Sequence, residues 1–380
     1  MKLSTKILFA FLLLLNISCG QNNQYDFSGV DKLINIGISD GVFPGSVLLV
    51  SKGESIIYEN TYGNFTYDRL SKKVNINTIF DLASLTKIVS TTTAAMICID
   101  RGLFKLSDKV VKYIPRFGNH GKKIITIKNL LLHNSGLPAY KRFYKFCKNS
   151  DDVINDIYNT ELIYKTGSKT VYSDLSMIVL QKVIEKVTGK SLDEFSKENI
   201  FDPLEMKSTM FNPPDSIKQN IALTEFDDYW RHRQLQGEVH DETAALLNGV
   251  SGNAGLFSNS EDLSNFLTMI LNKGTFKRKR IINENTVLLF TTKQPNSARA
   301  LGWDIKSPIK SSAGNLFSLK SFGHTGYTGT SFWVDPQKKL FVIFLTNRVY
   351  PTRNNTKIIK FRPKLHNEII ETIYRLKNSD

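Results

Sequence analysis

Residues 79–102 constrain the chain more than any other stretch. Between Leu85 and Ile99 the only charge is Lys87, and Leu85, Ile88, Val89, Ala95, Met96, Ile97 and Ile99 fall all round a helical cylinder. Small Ser90 and Thr91 to Thr93 fill the gaps between them. A helix without a polar face is stable only when other elements cover most of it, so the rest of the chain must supply a shell. Asp100-Arg101-Gly102 marks its stop, with polar residues and then a glycine suited to the left-handed position past a helix end. At its start Ser84 and Lys87 stand three apart. That spacing puts two side chains on one helical face, where an unprotonated lysine could take the serine's proton. The S-x-x-K pattern recurs at Ser307-Pro308-Ile309-Lys310, but Pro308 denies a continuing helix its backbone donor. Only the first copy therefore has a helical context.

With 380 residues, 41% of them apolar and 11% aromatic, the chain can build a sizeable core in one large domain or two lobes. Residues 1–18 read as an export signal: Lys2 and Lys6, an apolar run from Ile7 to Leu15, then Ile17-Ser18 before Cys19. Small residues ahead of a cysteine resemble a lipoprotein signal, in which Cys19 becomes the lipid-modified first residue, although Asn16 departs from the usual pattern. That resemblance implies a mature protein in the cell envelope, attached to a membrane through lipid, with plain secretion as the alternative. The apolar run itself is too short to span a bilayer. Losing Lys2 and Lys6 lowers the formal charge from +15 to +13, which favours an anionic envelope surface. The export signal and the scatter of basic residues argue against nucleic-acid binding. Cys98 and Cys147 leave a disulfide open, a buried free thiol at Cys98 being the commoner outcome. The six histidines form no H-E-x-x-H grouping, so neither a metal nor another cofactor is expected.

Residues 19–27 read as a tether, followed by a helix over 30–41 and a hairpin in which 46–50 and 55–58 flank Lys52-Gly53-Glu54. Helical patterns follow at 127–133, at 175–187 before Gly189, and at 192–200. Strand patterns return at 316–319, 331–334 and 340–345, and residues 356–376 close as a helix that Pro363 should kink or break. The expected class is α+β: one domain over 28–376, with an antiparallel sheet from the N- and C-terminal segments (28–80 and 245–376) flanked by helices. A mostly helical lobe, 81–244, is inserted between them.

Three clusters pair a hydroxyl with a proton carrier: Ser84 with Lys87, then Tyr172-Ser173-Asp174 ahead of a helix, then His324-Thr325-Gly326 directly after strand residues. Tyr327-Thr328-Gly329 extends the last into a glycine-spaced edge where a substrate backbone could lie. The order S-x-x-K, Y-x-D/N, H/K-T-G resembles the serine β-lactamase and penicillin-binding protein superfamily. The similarity is greatest to class C β-lactamases, D-alanyl-D-alanine carboxypeptidases and related esterases, and covers nearly all of residues 28–350. Phe80-Asp81-Leu82-Ala83-Ser84, Leu132-His133-Asn134-Ser135-Gly136, Ala254-Gly255-Leu256-Phe257 and Leu301-Gly302-Trp303 resemble family landmarks in their usual order.

The resemblance implies a Ser84 nucleophile that forms an acyl-enzyme for water to hydrolyse. Lys87 is its base if burial and neighbouring positive charge depress the lysine pKa. Tyr172 relays protons, and His324, where most β-lactamases hold lysine, orients Tyr172 or a substrate carboxylate. Backbone N–H groups of Ser84 and Tyr327 form the oxyanion hole, and Asp174, Thr325 and Gly326 line the substrate site. His240, in a segment preceded by Trp230-Arg231-His232-Arg233, resembles a subgroup associated with muropeptide metabolism. It either lines the cleft or belongs to a charged surface loop. His133, at a helix end away from the three motifs, reads as structural. Asp174 replaces an asparagine, Thr166-Gly167 a proline-glycine pair and Asn253 a histidine. A carboxylate at Asp174 disfavours efficient β-lactam hydrolysis, so a peptidase or esterase fits better. The implied substrates are a peptidoglycan-derived D-alanyl peptide, a muropeptide or a related ester, with β-lactams as candidate covalent ligands. The alternatives are a class C-like β-lactamase, a small-ester carboxylesterase and, from another class, a catalytically silent penicillin-recognising protein.

Overall fold

Two adjacent runs of apolar residues start the sheet in a computed structural model that describes residues 25–375. The export signal and Cys19 lie outside the described residues. Strands Gly45–Lys52 and Ser55–Gly63 form a hairpin that turns through Gly53, whose φ of +65° suits glycine. Gly45–Lys52 pairs on its other side with Leu340–Thr346, Ser46 opposite Thr346. Ser331–Asp335, Phe322–Thr325 and Asp304–Ile305 follow outward to complete a six-stranded antiparallel sheet. Its central strands are buried on both faces, because successive side chains alternate between two covered sides. Leu48, Val50, Val342 and Phe344 meet the terminal helices Ser28–Ser39 and Ile358–Arg375 through Val30, Ile34, Phe361 and Leu365. Val47, Leu49, Ile343 and Leu345 join the larger cluster on the other face, with helices Ser260–Leu271, Thr93–Asp100 and Asp174–Thr188. The two ends of the chain thus build one antiparallel sheet, and the middle is mostly helical.

Three local expectations give way. Residues 316–319 form no strand, since Ser318 turns its N–H and hydroxyl onto the Asp335 carboxylate, each at 2.7 Å, instead of a neighbouring backbone. The sheet edge is Asp304–Ile305, paired with Gly323 and Phe322, so His324 and Thr325 sit inside a strand and not after one. Pro363 does not break Ile358–Arg375: Phe361, Leu365 and Ile369 bury one stripe across it, and that packing outweighs one lost backbone donor. Cys98 and Cys147 are free, buried thiols. No helix among the described residues is long and apolar enough to cross a membrane.

The constraining segment is one rod wound three ways: a 3₁₀ turn at Ala83–Leu85, a wide π-type stretch at Lys87–Thr92, and an α-helix at Thr93–Asp100. Every residue from Leu85 to Cys98 is buried, which is the shell the sequence demands. A π-type stretch re-aims the side chains that follow its start, and here it begins at Lys87. The rod ends at Gly102, φ +67°, with the Leu103 N–H bonded to the Cys98 carbonyl at 2.9 Å.

Candidate active site

The short strand Phe80–Asp81 delivers the chain to Ala83, whose φ of +46° is strained for a residue with a Cβ. Asp81 holds that turn by accepting the Ala83 N–H at 2.8 Å, and Ser84 then opens the rod at the floor of a cleft. One turn on, Lys87 is fully buried. Its Nζ lies 2.9 Å from Ser84 Oγ, 2.8 Å from the Asn253 carbonyl and 2.7 Å from Asp174 Oδ1. Ser84 and Asn253 accept two of its protons, and Asp174 Oδ1 stands beside it as an ion-pair partner. Burial lowers the lysine pKa, but Asp174 and, after it, Tyr172 together more than offset it and hold Lys87 above its ordinary value. The expectation of a lysine depressed by neighbouring positive charge is therefore corrected: its nearest charge is an anion. Asp174, which opens helix Asp174–Thr188, is that counter-ion as well as part of the cleft wall.

Tyr172 stands beside this pair, with Nζ of Lys87 5.0 Å from its ring centre. Burial of its phenol raises the pKa further than the Lys87 charge lowers it, so Tyr172 is protonated at neutral pH. Two imidazoles flank the ring. His324 lies at a centroid distance of 5.7 Å and donates from Nδ1 to the Thr325 carbonyl at 3.0 Å. Burial, aided by the Arg299 and Lys87 charges and opposed by Asp304, pushes its pKa down to about 4. His133 lies closer, at 4.7 Å, and accepts the Ser173 N–H on Nδ1 at 3.0 Å. Burial first, then Arg299 and Lys87, drives it well below the ordinary histidine value. Both rings are neutral, and both Nε2 atoms lack a hydrogen-bond partner among the described residues. His133 is thus not away from the motifs: backbone bonds from Val171 to its carbonyl and from Asp174 to Ala139 fold its loop under Tyr172.

The opposite wall comes from Tyr327, carried by the turn that follows the strand Phe322–Thr325. A Cβ on Gly326 would approach the Leu82 carbonyl to 2.4 Å, so only glycine lets this backbone lie so near the nucleophile turn. Thr328 Oγ1 donates to the Asp81 carbonyl at 2.7 Å and Thr330 Oγ1 to that of Leu82 at 3.0 Å, which fixes Tyr327 over the cleft. Thr325 and Gly326 stand behind this wall and do not line the cavity. His240 is in the cleft and buried, not on a surface loop. Its ring stacks on Tyr327 at 5.8 Å, its N–H reaches Asp81 Oδ2 at 2.7 Å, and its Nε2 lies 2.9 Å from Glu225. Burial raises the Glu225 pKa, but bonds from His240 and Arg353 outweigh it and leave the carboxyl at about 2.

The cavity measures about 590 Å³ and is walled further by Tyr140, Tyr144, Tyr229, Asp241 and Arg353. Asp241, raised to about 6 by burial and by the Asp174 and Glu242 charges, accepts the Asn253 side chain at 3.3 Å. Asp81, Glu225, Asp241 and Arg353 were not legible as site residues, because the bonds that tie them to the cleft, Asp81 to His240, Glu225 to Arg353 and Asp241 to Asn253, are formed only by folding. Among the described residues no group of three or more His, Cys, Asp or Glu is placed to hold a metal.

Residues 30–362 match the Beta-lactamase family. The chain belongs to that family. Two relatives share sequence with it over most of their length. It is 34% identical over 371 residues to the N-acetylmuramyl-L-alanine amidase of Bacillus subtilis (strain 168), covering 88% of this chain and 84% of the relative. It is 32% identical over 354 residues to a protein of Escherichia coli (strain K12) provisionally named D-alanyl-D-alanine carboxypeptidase, covering 84% and 81%. Solved structures share the fold. EstCE1, described as a hydrolase with promiscuous acyltransferase activity, superposes with a TM-score of 0.72 at 22% identity, over 90% of this chain and 97% of that one. A class C beta-lactamase from Rhodobacter sphaeroides superposes with a TM-score of 0.70 at 20% identity, over 90% and 99%. The chain is accordingly a hydrolase of the beta-lactamase family.

Proposed function

We propose that the protein is a cell-envelope serine hydrolase that works through an acyl-enzyme on Ser84 and acts on peptidoglycan-derived D-alanyl peptides or related esters. The observation that carries this is the 2.9 Å approach of Ser84 Oγ to Nζ of a fully buried lysine. In the free protein that lysine is an ammonium and no base. Substrate filling the cleft strips water from the Lys87–Asp174 pair and weakens the preference for separated charges, so a proton passes from Nζ to the Asp174 carboxylate. The freed amine then takes the Ser84 proton as Oγ bonds to the substrate carbonyl carbon. Backbone N–H groups of Ser84 and Tyr327 hold the negative oxygen. Tyr172 gives its proton to the departing amine or alcohol and recovers one from the water that releases the acyl group, while the Lys87 ammonium returns its proton to Ser84 Oγ and Asp174 returns its own to Nζ.

A second reading, cleavage of the amide between N-acetylmuramic acid and L-alanine, draws support from the neutral His324. At that position a substrate's terminal carboxylate meets a neutral imidazole, whereas a lysine would supply a charge. Product analysis separates the two. D-alanine released from a D-alanyl-D-alanine peptide supports the first, and alanyl peptide released from an N-acetylmuramyl peptide supports the second. Hydrolysis of p-nitrophenyl acetate with neither amide product would reject both for a small-ester enzyme, and rapid nitrocefin turnover would point to a lactamase. The envelope location rests on residues 1–19. Cys19→Ala is expected to move the protein from the membrane fraction to the soluble fraction, and a variant that stays with the membrane rejects the lipid anchor.

A further inference from the structure

Two arginines stand behind the turn that carries Tyr327. Arg362, on the closing helix, is buried, and its Nη2 donates to the carbonyls of Gly326 at 3.3 Å and Thr330 at 3.0 Å. Arg348 donates from Nε to the Tyr327 carbonyl at 2.8 Å, with its guanidinium 4.4 Å from that residue's ring centre. Arg348 also reaches the carbonyls of Arg353 and Asn355. Arg362 is the odd member. Among the described residues no carboxylate pairs with it, and its Nε has no partner. Burial, then the charge of Arg348, pushes its pKa down to about 9, which leaves it cationic at neutral pH. A buried guanidinium without a counter-ion is a cost to folding, and a neutral amide could tie helix to turn without it. The charge itself therefore needs a use.

Gly326 C=O and Tyr327 N–H belong to one peptide plane, and in a trans peptide they point in opposite directions. A cation on the oxygen draws electron density from the nitrogen and leaves the N–H more positive. It also holds the plane so that the N–H faces away from the helix. From the other side, the Thr328 and Thr330 hydroxyls brace the same turn against Asp81 and Leu82. We propose that Arg362 is a positioning residue for the oxyanion site: its buried charge orients and polarises the Gly326–Tyr327 amide, so that Tyr327 N–H binds the oxygen that becomes negative when Ser84 attacks. The inference rests on the Ser84 and Tyr327 roles proposed above. A donor sharpened in this way favours the charged transition state over the neutral substrate, so it acts on kcat more than on KM.

The test compares R362Q, which keeps a neutral donor, with R362K, which keeps the charge, in the full chain. The readouts are p-nitrophenyl ester turnover, the Kd of phenylboronic acid as a tetrahedral Ser84 adduct, and thermal unfolding. R362Q is expected to lower kcat and boronate affinity about tenfold with KM within about twofold, while R362K stays within about threefold of wild type. Equal kcat and equal boronate affinity for the two folded variants would overturn the proposal. Should R362Q not fold, R362K alone decides. Its boronate affinity relative to wild type is expected to fall with rising pH as the buried ammonium loses its proton, and a flat ratio between about pH 6 and 10 overturns the proposal. Ser84→Ala separates the two levels. If that variant binds boronate like wild type, the underlying reading fails and takes the inference with it. If it does not bind while R362Q and R362K match, only the Arg362 role is lost.

Discussion

Ser84→Ala is expected to reduce turnover by about 10⁴- to 10⁶-fold and to abolish the mass gained from a fluorophosphonate or a penicillin, with the fold intact. The size follows from what is removed. Ser84 is the side-chain hydroxyl on the cleft wall that Lys87 reaches, and a hydroxyl without a base is a poor nucleophile. Little else depends on it. The turn before it is held by Asp81 and Ala83, and the rod after it is held by its buried apolar surface. Alanine removes one oxygen at a partly exposed position, so the thermal midpoint should barely move. Intact-protein mass, read beside a thermal melt, checks both halves. Labelling that persists in Ser84→Ala would reject the nucleophile assignment. In the wild type, a stable penicillin adduct would indicate slow deacylation. Loss of intact penicillin without an adduct would indicate a lactamase.

What could be read from the sequence, and what could not, divides by distance along the chain. The buried rod, the hairpin through Gly53 and the stops at Gly102 and Gly189 are written in neighbouring residues, and all are present. Ser84 and Lys87 were legible because i and i+3 meet on any helix. Tyr172 and His324 were found only through the order of motifs, since nothing local distinguishes them from half-buried or structural rings. The sign of the Lys87 shift was misread because it depends on Asp174, 87 residues away and brought to 2.7 Å by folding. His133 was misplaced for a similar reason. Its contact with Tyr172 exists only because residues 133–139 and 171–174 bond across a loop. At 316–319 apolar side chains promised a strand, but Phe317 alone is buried there while Leu316 and Leu319 face solvent. The short edge strand Asp304–Ile305 has no such run of apolar residues to announce it.

Lys87→Met and Asp174→Asn are expected to separate the two functions of the buried ion pair. Methionine fills much of the lysine volume but supplies no base, so acylation should fall about 10³-fold. It also leaves the Asp174 carboxylate without its counter-ion. The group is partly exposed to the cleft, with a side-chain accessibility of 24%, so the loss should fall below the cost of breaking a fully buried pair, at about 2 kcal/mol. The pH dependence fixes the sign. Because folding raises the Lys87 pKa, the pair's contribution is fully present below the ordinary lysine value of 10.5 and is lost only as pH climbs through the higher folded value. The stability gap between wild type and Lys87→Met should therefore stay level from neutral pH to about 10 and close beyond it. Asp174→Asn works in the opposite direction. It removes the charge that does most to hold the proton on Nζ, so burial is opposed by Tyr172 alone and Lys87 becomes a free amine at lower pH. The acidic limb of the kcat/KM profile should then move down by at least about one pH unit, worth about tenfold in rate on that limb. A limb that does not move would mean Asp174 does not govern the lysine proton. Abolished activity in Asp174→Asn would mean the carboxylate must accept that proton in every turnover, leaving the amine no independent route to its neutral form.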